Sequence, residues 1–110
     1  SGVGALVLMS APPPLEPKAA RALYDKGMQE ARRVFPHLAG GPKQEHHVYP
    51  RYLGGPDNGP TVDLDRAYHQ LITNEFRMHR GYGQGTPNLR RALELMRLVY
   101  SEYPLLGVHF

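Results

Sequence analysis

The chain has 110 residues, with thirteen Lys and Arg against ten Asp and Glu, for a formal charge of +3. At this length one compact domain with its own hydrophobic core is the natural expectation. There is no cysteine, which excludes a disulfide framework, a thiolate zinc site and a cysteine nucleophile. Any metal site must therefore draw on His, Asp, Glu, Asn or carbonyl oxygen.

The opening, SGVGALVLMSAPPPLEP, begins on Ser1 rather than Met. Its apolar run Val3–Met9 is too short to span a bilayer, and without a basic flank it makes a poor signal peptide. We read residues 1–16 as an apolar, Pro-rich leader or linker, with Pro12–Pro14 as a stiff spacer and Val3–Met9 alternatively an edge strand. The chain then reads as the C-terminal piece of a longer protein, with a single domain over 17–110.

Apolar residues at Ala20, Leu23, Gly27/Met28, Ala31 and Val34 predict a helix over Pro17–Phe35, opened by Pro17 and ended by Pro36. Gly40-Gly41-Pro42 breaks the chain. Gln44–Tyr49 reads as a short strand ending at Pro50, and Gly54–Pro60 as a long turn. Thr61–Leu64 alternates apolar and polar residues and can pair back as a second strand. Asp57-Asn58-Gly59-Pro60 lacks the alternating oxygen ligands of a calcium loop and reads as a turn.

Asp65 is a good N-cap for a helix over about Arg66–His79, with the stripe Ala67/Tyr68, Leu71/Ile72, Glu75/Phe76 and Met78/His79. Gly81, Gly83 and Gly85 stop it. Thr86 as N-cap and Pro87 at the first position predict the last helix, with Leu89, Leu93, Met96, Val99/Tyr100 and Tyr103 buried. Leu105–Phe110 is an apolar tail. The fold class is α+β: a small, mostly helical domain around a strand–loop–strand–helix unit.

That unit holds His46, His47 and His69. If its helix packs across the hairpin, imidazoles from both elements can converge within metal-ligand reach, and Asp65, four residues before His69, shares that helix face. A divalent metal on imidazole and carboxylate can stabilise charge building on a phosphate. A separate histidine can take a proton from water. Adjacent strand residues point to opposite sides, so one of the pair can ligate while the other faces substrate. The plainer alternative makes His46 and His47 ordinary strand residues and His69 a hydrogen-bonded boundary residue. His37 and His109 read as structural or surface residues, and His79 as a helix C-terminal residue whose cation suits the dipole. Tyr49, Tyr52, Tyr68 and Tyr82 read as packing residues.

The pattern Glu45-His46-His47-(x)2-Pro50, then Gly54-Gly55, then a helix bearing His69, resembles the ββα-metal nucleases, also called His-Me finger or HNH/endonuclease VII-like nucleases. It is most similar to the HH-type domains at the C-terminal ends of bacterial polymorphic toxins. The resemblance covers residues 44 to about 80, roughly a third of the chain. It implies a ββα core there, with His47 as general base and His46 and His69 as metal ligands. A further helical ligand four residues on would fall at Thr73, so the shell is thin, two imidazoles with water and Asp65. Magnesium tolerates such a shell, which makes Mg²⁺ the expected cofactor, with Mn²⁺ or Zn²⁺ as alternatives. In a second register Glu45 ligates and His46 is the base. Arg51 would serve the scissile phosphate, and Arg66, Arg77 and Arg80 the flanking backbone.

The implied function is a metal-dependent endonuclease of low sequence specificity acting on DNA, or else RNA. Its setting would be a bacterial toxin or effector tip, secreted or delivered as part of a larger protein and countered by a cognate immunity protein. Two other readings stay open: a non-catalytic metal-binding or protein-interaction domain with a degenerate histidine site, and a hydrolase of another phosphoester or an amide.

Overall fold

The computed structural model describes residues 15–108. The expectations for residues 1–14 of the leader, Val3–Met9 among them, and for His109 lie outside the described residues. Within them the chain forms helix α1 (Pro17–Val34), strand β1 (Gln44–His47), a 3-10 turn (Arg51–Leu53), strand β2 (Thr61–Leu64), and helices α2 (Arg66–His79) and α3 (Leu89–Glu102). This is a mixed α+β arrangement with a two-stranded antiparallel sheet. No described helix is long and apolar enough to cross a membrane.

Pro17 opens α1, where a missing N–H costs nothing. Gly27, Met28 and Ala31 are its buried face. Gly27 is required by proximity: a Cβ there would lie 2.8 Å from Tyr68 Cε1 and 3.2 Å from Tyr103 Cδ1. The absence of a side chain thus lets α1 settle on α2, where Tyr68 is fully buried and donates its hydroxyl to Pro104 O at 2.7 Å.

Strands β1 and β2 pair with Gln44 opposite Leu64, Glu45 opposite Asp63, His46 opposite Val62 and His47 opposite Thr61. The loop between them is tied to itself. Pro50 O accepts from Leu53 N and Gly55 N, both at 3.0 Å, and Gly54 takes φ 98°. A Cβ on Gly55 would collide with the Tyr49 carbonyl, so the Gly-Gly pair is dictated by backbone shape. Leu53 is buried, pinning the turn to the core and holding Arg51 and Tyr52 at the surface above it.

Asp65 caps α2 through Oδ1, which accepts from Ala67 N at 2.9 Å. Helix α2 packs against α1, α3 and β1. Tyr68, Phe76, Ile72, Leu95, Met96 and Val99 are the large fully buried side chains at this junction, each contributing about 1.5–3 kcal/mol by burial.

Three sequence expectations are corrected. Helix α3 starts at Leu89, not at Pro87, because Asn88 is its N-cap and Oδ1 accepts from Arg91 N at 2.9 Å. Its buried stripe is Ala92, Leu95, Met96, Val99, Tyr100 and Tyr103, whereas Leu89 and Leu93 are 60% and 41% exposed. Both phases have helical spacing, and the Tyr100 and Tyr103 side of the helix meets α2. At the end of α2, Met78 is exposed rather than buried.

Candidate functional site

The order of elements brings His46 and His47 on β1 and His69 on the first turns of α2 to one open cleft of about 350 Å³. Arg51 and Tyr52 from the pinned turn, Glu45, Pro50 and Thr73 complete its lining.

His46 is buried, at 5% exposure. Its Nε2 lies 2.8 Å from Tyr100 Oη, and Tyr100 donates its own proton to Val48 O at 2.6 Å. Burial holds the phenol far above its ordinary pKa, so it stays a donor. With that proton committed, the hydroxyl oxygen accepts from His46 Nε2–H, and His46 Nδ1 is left as the lone-pair nitrogen. Burial, and then the His69 and His47 rings, push the His46 pKa down to about 4. The ring is neutral across the physiological range.

His69 repeats the arrangement from α2. Its Nδ1 lies 2.8 Å from Gln44 Oε1, an acceptor, so Nδ1 carries the proton and Nε2 keeps the lone pair. Burial lowers its pKa as well. The two rings meet edge to face with centroids 5.0 Å apart. A cation about 2.1 Å from a ring nitrogen sits about 3.3 Å from that ring's centroid. Two rings sharing it at about 100° would have centroids about 5 Å apart, so the spacing fits a shared ion. Edge-to-face packing alone gives the same distance; the spacing permits an ion without requiring one.

His47 has the third arrangement. Its Nε2 lies 2.9 Å from the carbonyl oxygen of Asp57. A carbonyl only accepts, so Nε2–H donates, and in the neutral ring Nδ1 is the basic nitrogen. The loop that looked like a turn on sequence alone thus orients the imidazole.

Arg51 lines the cleft with its Nη1 3.4 Å from Asp57 Oδ1, the two side chains being 62% and 87% exposed. So exposed a pair contributes little, and the guanidinium can exchange this partner for a phosphate.

Asp65, expected among the metal ligands, does not line the cleft. Its Oδ1 caps α2 and its Oδ2 accepts from Gly40 N at 3.0 Å. Burial alone would raise its pKa, but the backbone N–H groups of Gly40, Ala67 and Tyr68 and the Arg32 charge outweigh it and hold the carboxyl below its usual range. Arg66 also lies off the cleft, against Gly41. Arg77 and Arg80 line an adjoining cleft of about 330 Å³, which shares Tyr52 with the first.

Among the described residues no three His, Cys, Asp or Glu side chains converge to hold a metal. The two imidazoles that meet are those of His46 and His69, with Glu45 the carboxylate on the same cleft. Imidazole nitrogen suits Mn²⁺, Ni²⁺ or Zn²⁺ better than Mg²⁺, which favours oxygen. Asp65, held by Gly40 N and Ala67 N, is not among the donors on this cleft.

Sequence reasoning missed Tyr100, Gln44 and the Asp57 carbonyl. A buried tyrosine hydroxyl nearly always has a partner, but no local signal said that the partner of Tyr100 is His46, 54 positions away. No family model, curated protein or solved structure matches this chain.

Proposed function

We propose that the chain is a metal-dependent endonuclease domain whose β1, β2 and α2 form a His-Me finger-type ββα core. One observation carries the reading. Three imidazoles line one cleft, and each has one ring nitrogen tied to a partner, Tyr100, Gln44 or Asp57, and the other left with its lone pair. Such second partners, which fix tautomer and orientation, characterise ligating histidines, and general bases need the same fixing.

The roles then divide by environment. His46 is buried with a pKa near 4, which suits a ligand and makes it a weak base; this favours the register with His47 as base over Glu45 as ligand with His46 as base. His46 and His69 would hold the metal. When bound, the metal supplies Lewis-acid stabilisation of charge on the phosphate and its leaving oxygen. His47 Nδ1 takes a proton from the attacking water as the new P–O bond forms. The P–O bond to the leaving oxygen breaks, and that oxygen takes a proton from solvent. Arg51 offers its fork of donors to the non-bridging oxygens. Contacts of this kind read phosphate rather than sequence, which supports low specificity.

The resemblance to toxin-borne nucleases extends the proposal to a secreted or delivered effector that meets a cognate immunity protein. Thr73, at the position of a further ligand, supports the second reading, a binding domain with a degenerate site. The test is incubation of plasmid DNA and of RNA with the protein and Mn²⁺, Mg²⁺, Ni²⁺ or Zn²⁺, against EDTA. Metal-dependent nicking is expected. No cleavage with any ion would favour the binding-domain reading.

A further inference from the structure

Arg77 lies between two tyrosines in the adjoining cleft. Its guanidinium carbon is 4.3 Å from the Tyr52 ring centroid and 3.9 Å from that of Tyr82. Tyr82 sits in the glycine loop after α2 and is 77% exposed. So exposed a ring gains little from burial; the cation against one face is what holds it, and the rest of the ring stands in water. Arg80 is fixed beneath the same loop by donating to Gln84 O at 2.9 Å and Gly85 O at 3.1 Å, which engages only one of its nitrogens. No carboxylate lines this cleft among the described residues. Tyr52 lines both clefts, and Arg77 joins it to Tyr82.

We infer that the Tyr82 and Arg80 cleft is a stacking subsite for an unpaired nucleobase and its phosphate, and that the preferred substrate is single-stranded nucleic acid. This deepens the nuclease reading and rests on it for the chemistry. Tyr82, a packing residue on sequence alone, becomes a platform. The argument for single strands is steric. Inside a duplex both faces of every base are covered by neighbouring bases, so an exposed ring can stack only on an unpaired or terminal base. Aromatic platforms beside basic grooves bind single strands in this way and tolerate any sequence.

The test is fluorescence anisotropy with a labelled single-stranded DNA and the corresponding duplex, in EDTA so that binding is read without cleavage. The single strand is expected to bind more tightly than the duplex. Tyr82→Ala should weaken single-strand binding about 5- to 100-fold, Tyr82→Phe should retain it, and duplex affinity should not change. Circular dichroism melting of each variant confirms that it is folded. Equal affinity for duplex and single strand, or a folded Tyr82→Ala with undiminished binding, would overturn the inference. So would loss of binding to both nucleic acids in equal measure. Because the readout needs no metal, failure of metal-dependent cleavage would overturn the nuclease reading separately.

Discussion

Tyr100 ties His46 to the backbone beyond its own strand: the hydroxyl accepts from His46 Nε2 at 2.8 Å and donates to Val48 O at 2.6 Å. One oxygen on α3 thereby fixes the tautomer of a buried imidazole on β1. Tyr100→Phe keeps the ring packing against Phe76, whose centroid is 5.6 Å away, and removes the hydroxyl that makes the bridge. It leaves a buried N–H and a carbonyl without that partner, which should cost roughly 2 kcal/mol or more. It also frees the His46 ring to change tautomer, so metal affinity should fall about 10-fold or more. Denaturant unfolding and metal titration of the variant check both effects. Unchanged metal affinity would show that the bridge serves the fold alone.

The contribution of Glu75 to stability should fall as pH rises from about 4.5 to about 7. Burial, then a hydrogen bond that the protonated Glu75 donates to Glu102, repulsion by Glu102, and the charge of Glu30 raise its pKa from 4.5 to about 7. The imidazole of His79, 3.5 Å away, does not outweigh them, and Tyr103 is engaged with Glu30 at 3.3 Å. A folded-state pKa above the unfolded one means that the native state binds the extra proton in this window. The stabilisation is complete below 4.5 and lost by about 7. His46, with its pKa pushed down to about 4, works in the opposite sense over nearly the same range, so the readout is the difference: in urea unfolding the stability of the parent relative to Glu75→Gln should fall across this window. Parallel profiles would contradict the assignment.

The N-cap of α3 separates sequence from structure cleanly. Asn88→Ala should cost about 1 kcal/mol, because Arg91 N loses its acceptor. Thr86→Ala should stay within about 0.5 kcal/mol, since Thr86 is exposed and precedes the helix. Thermal melts of the two variants decide it, and the reverse order would restore the Thr86-Pro87 start.

What was legible in the sequence was what local chemistry dictates. Pro17, Pro36 and the glycines after His79 bound their helices, Asp65 caps α2, and alternation in Thr61–Leu64 marks a strand that pairs with β1. The arrival of His46, His47 and His69 at one cleft follows from element order. What stayed hidden depends on distance in the chain. Asp65 looked available as a ligand because Gly40, whose N–H takes its second oxygen, lies 25 positions earlier. The phase of α3 was ambiguous because Leu89/Leu93 and Ala92/Leu95/Val99 are both good helical stripes, and only contact with α2 chooses between them. Tyr82 gave no sign of its partner because the Arg77 stack forms only when α2 and the glycine loop meet.

The most direct test of the division of labour among the histidines compares His47→Ala with His69→Ala, measuring Mn²⁺ binding by calorimetry and cleavage of DNA on the same preparations. The account predicts that His47→Ala binds Mn²⁺ like the parent and does not cleave, because only the base is gone, while His69→Ala loses both affinity and cleavage. A His47→Ala protein that cleaves at the parental rate, or a His69→Ala protein that binds Mn²⁺ undiminished, would contradict it.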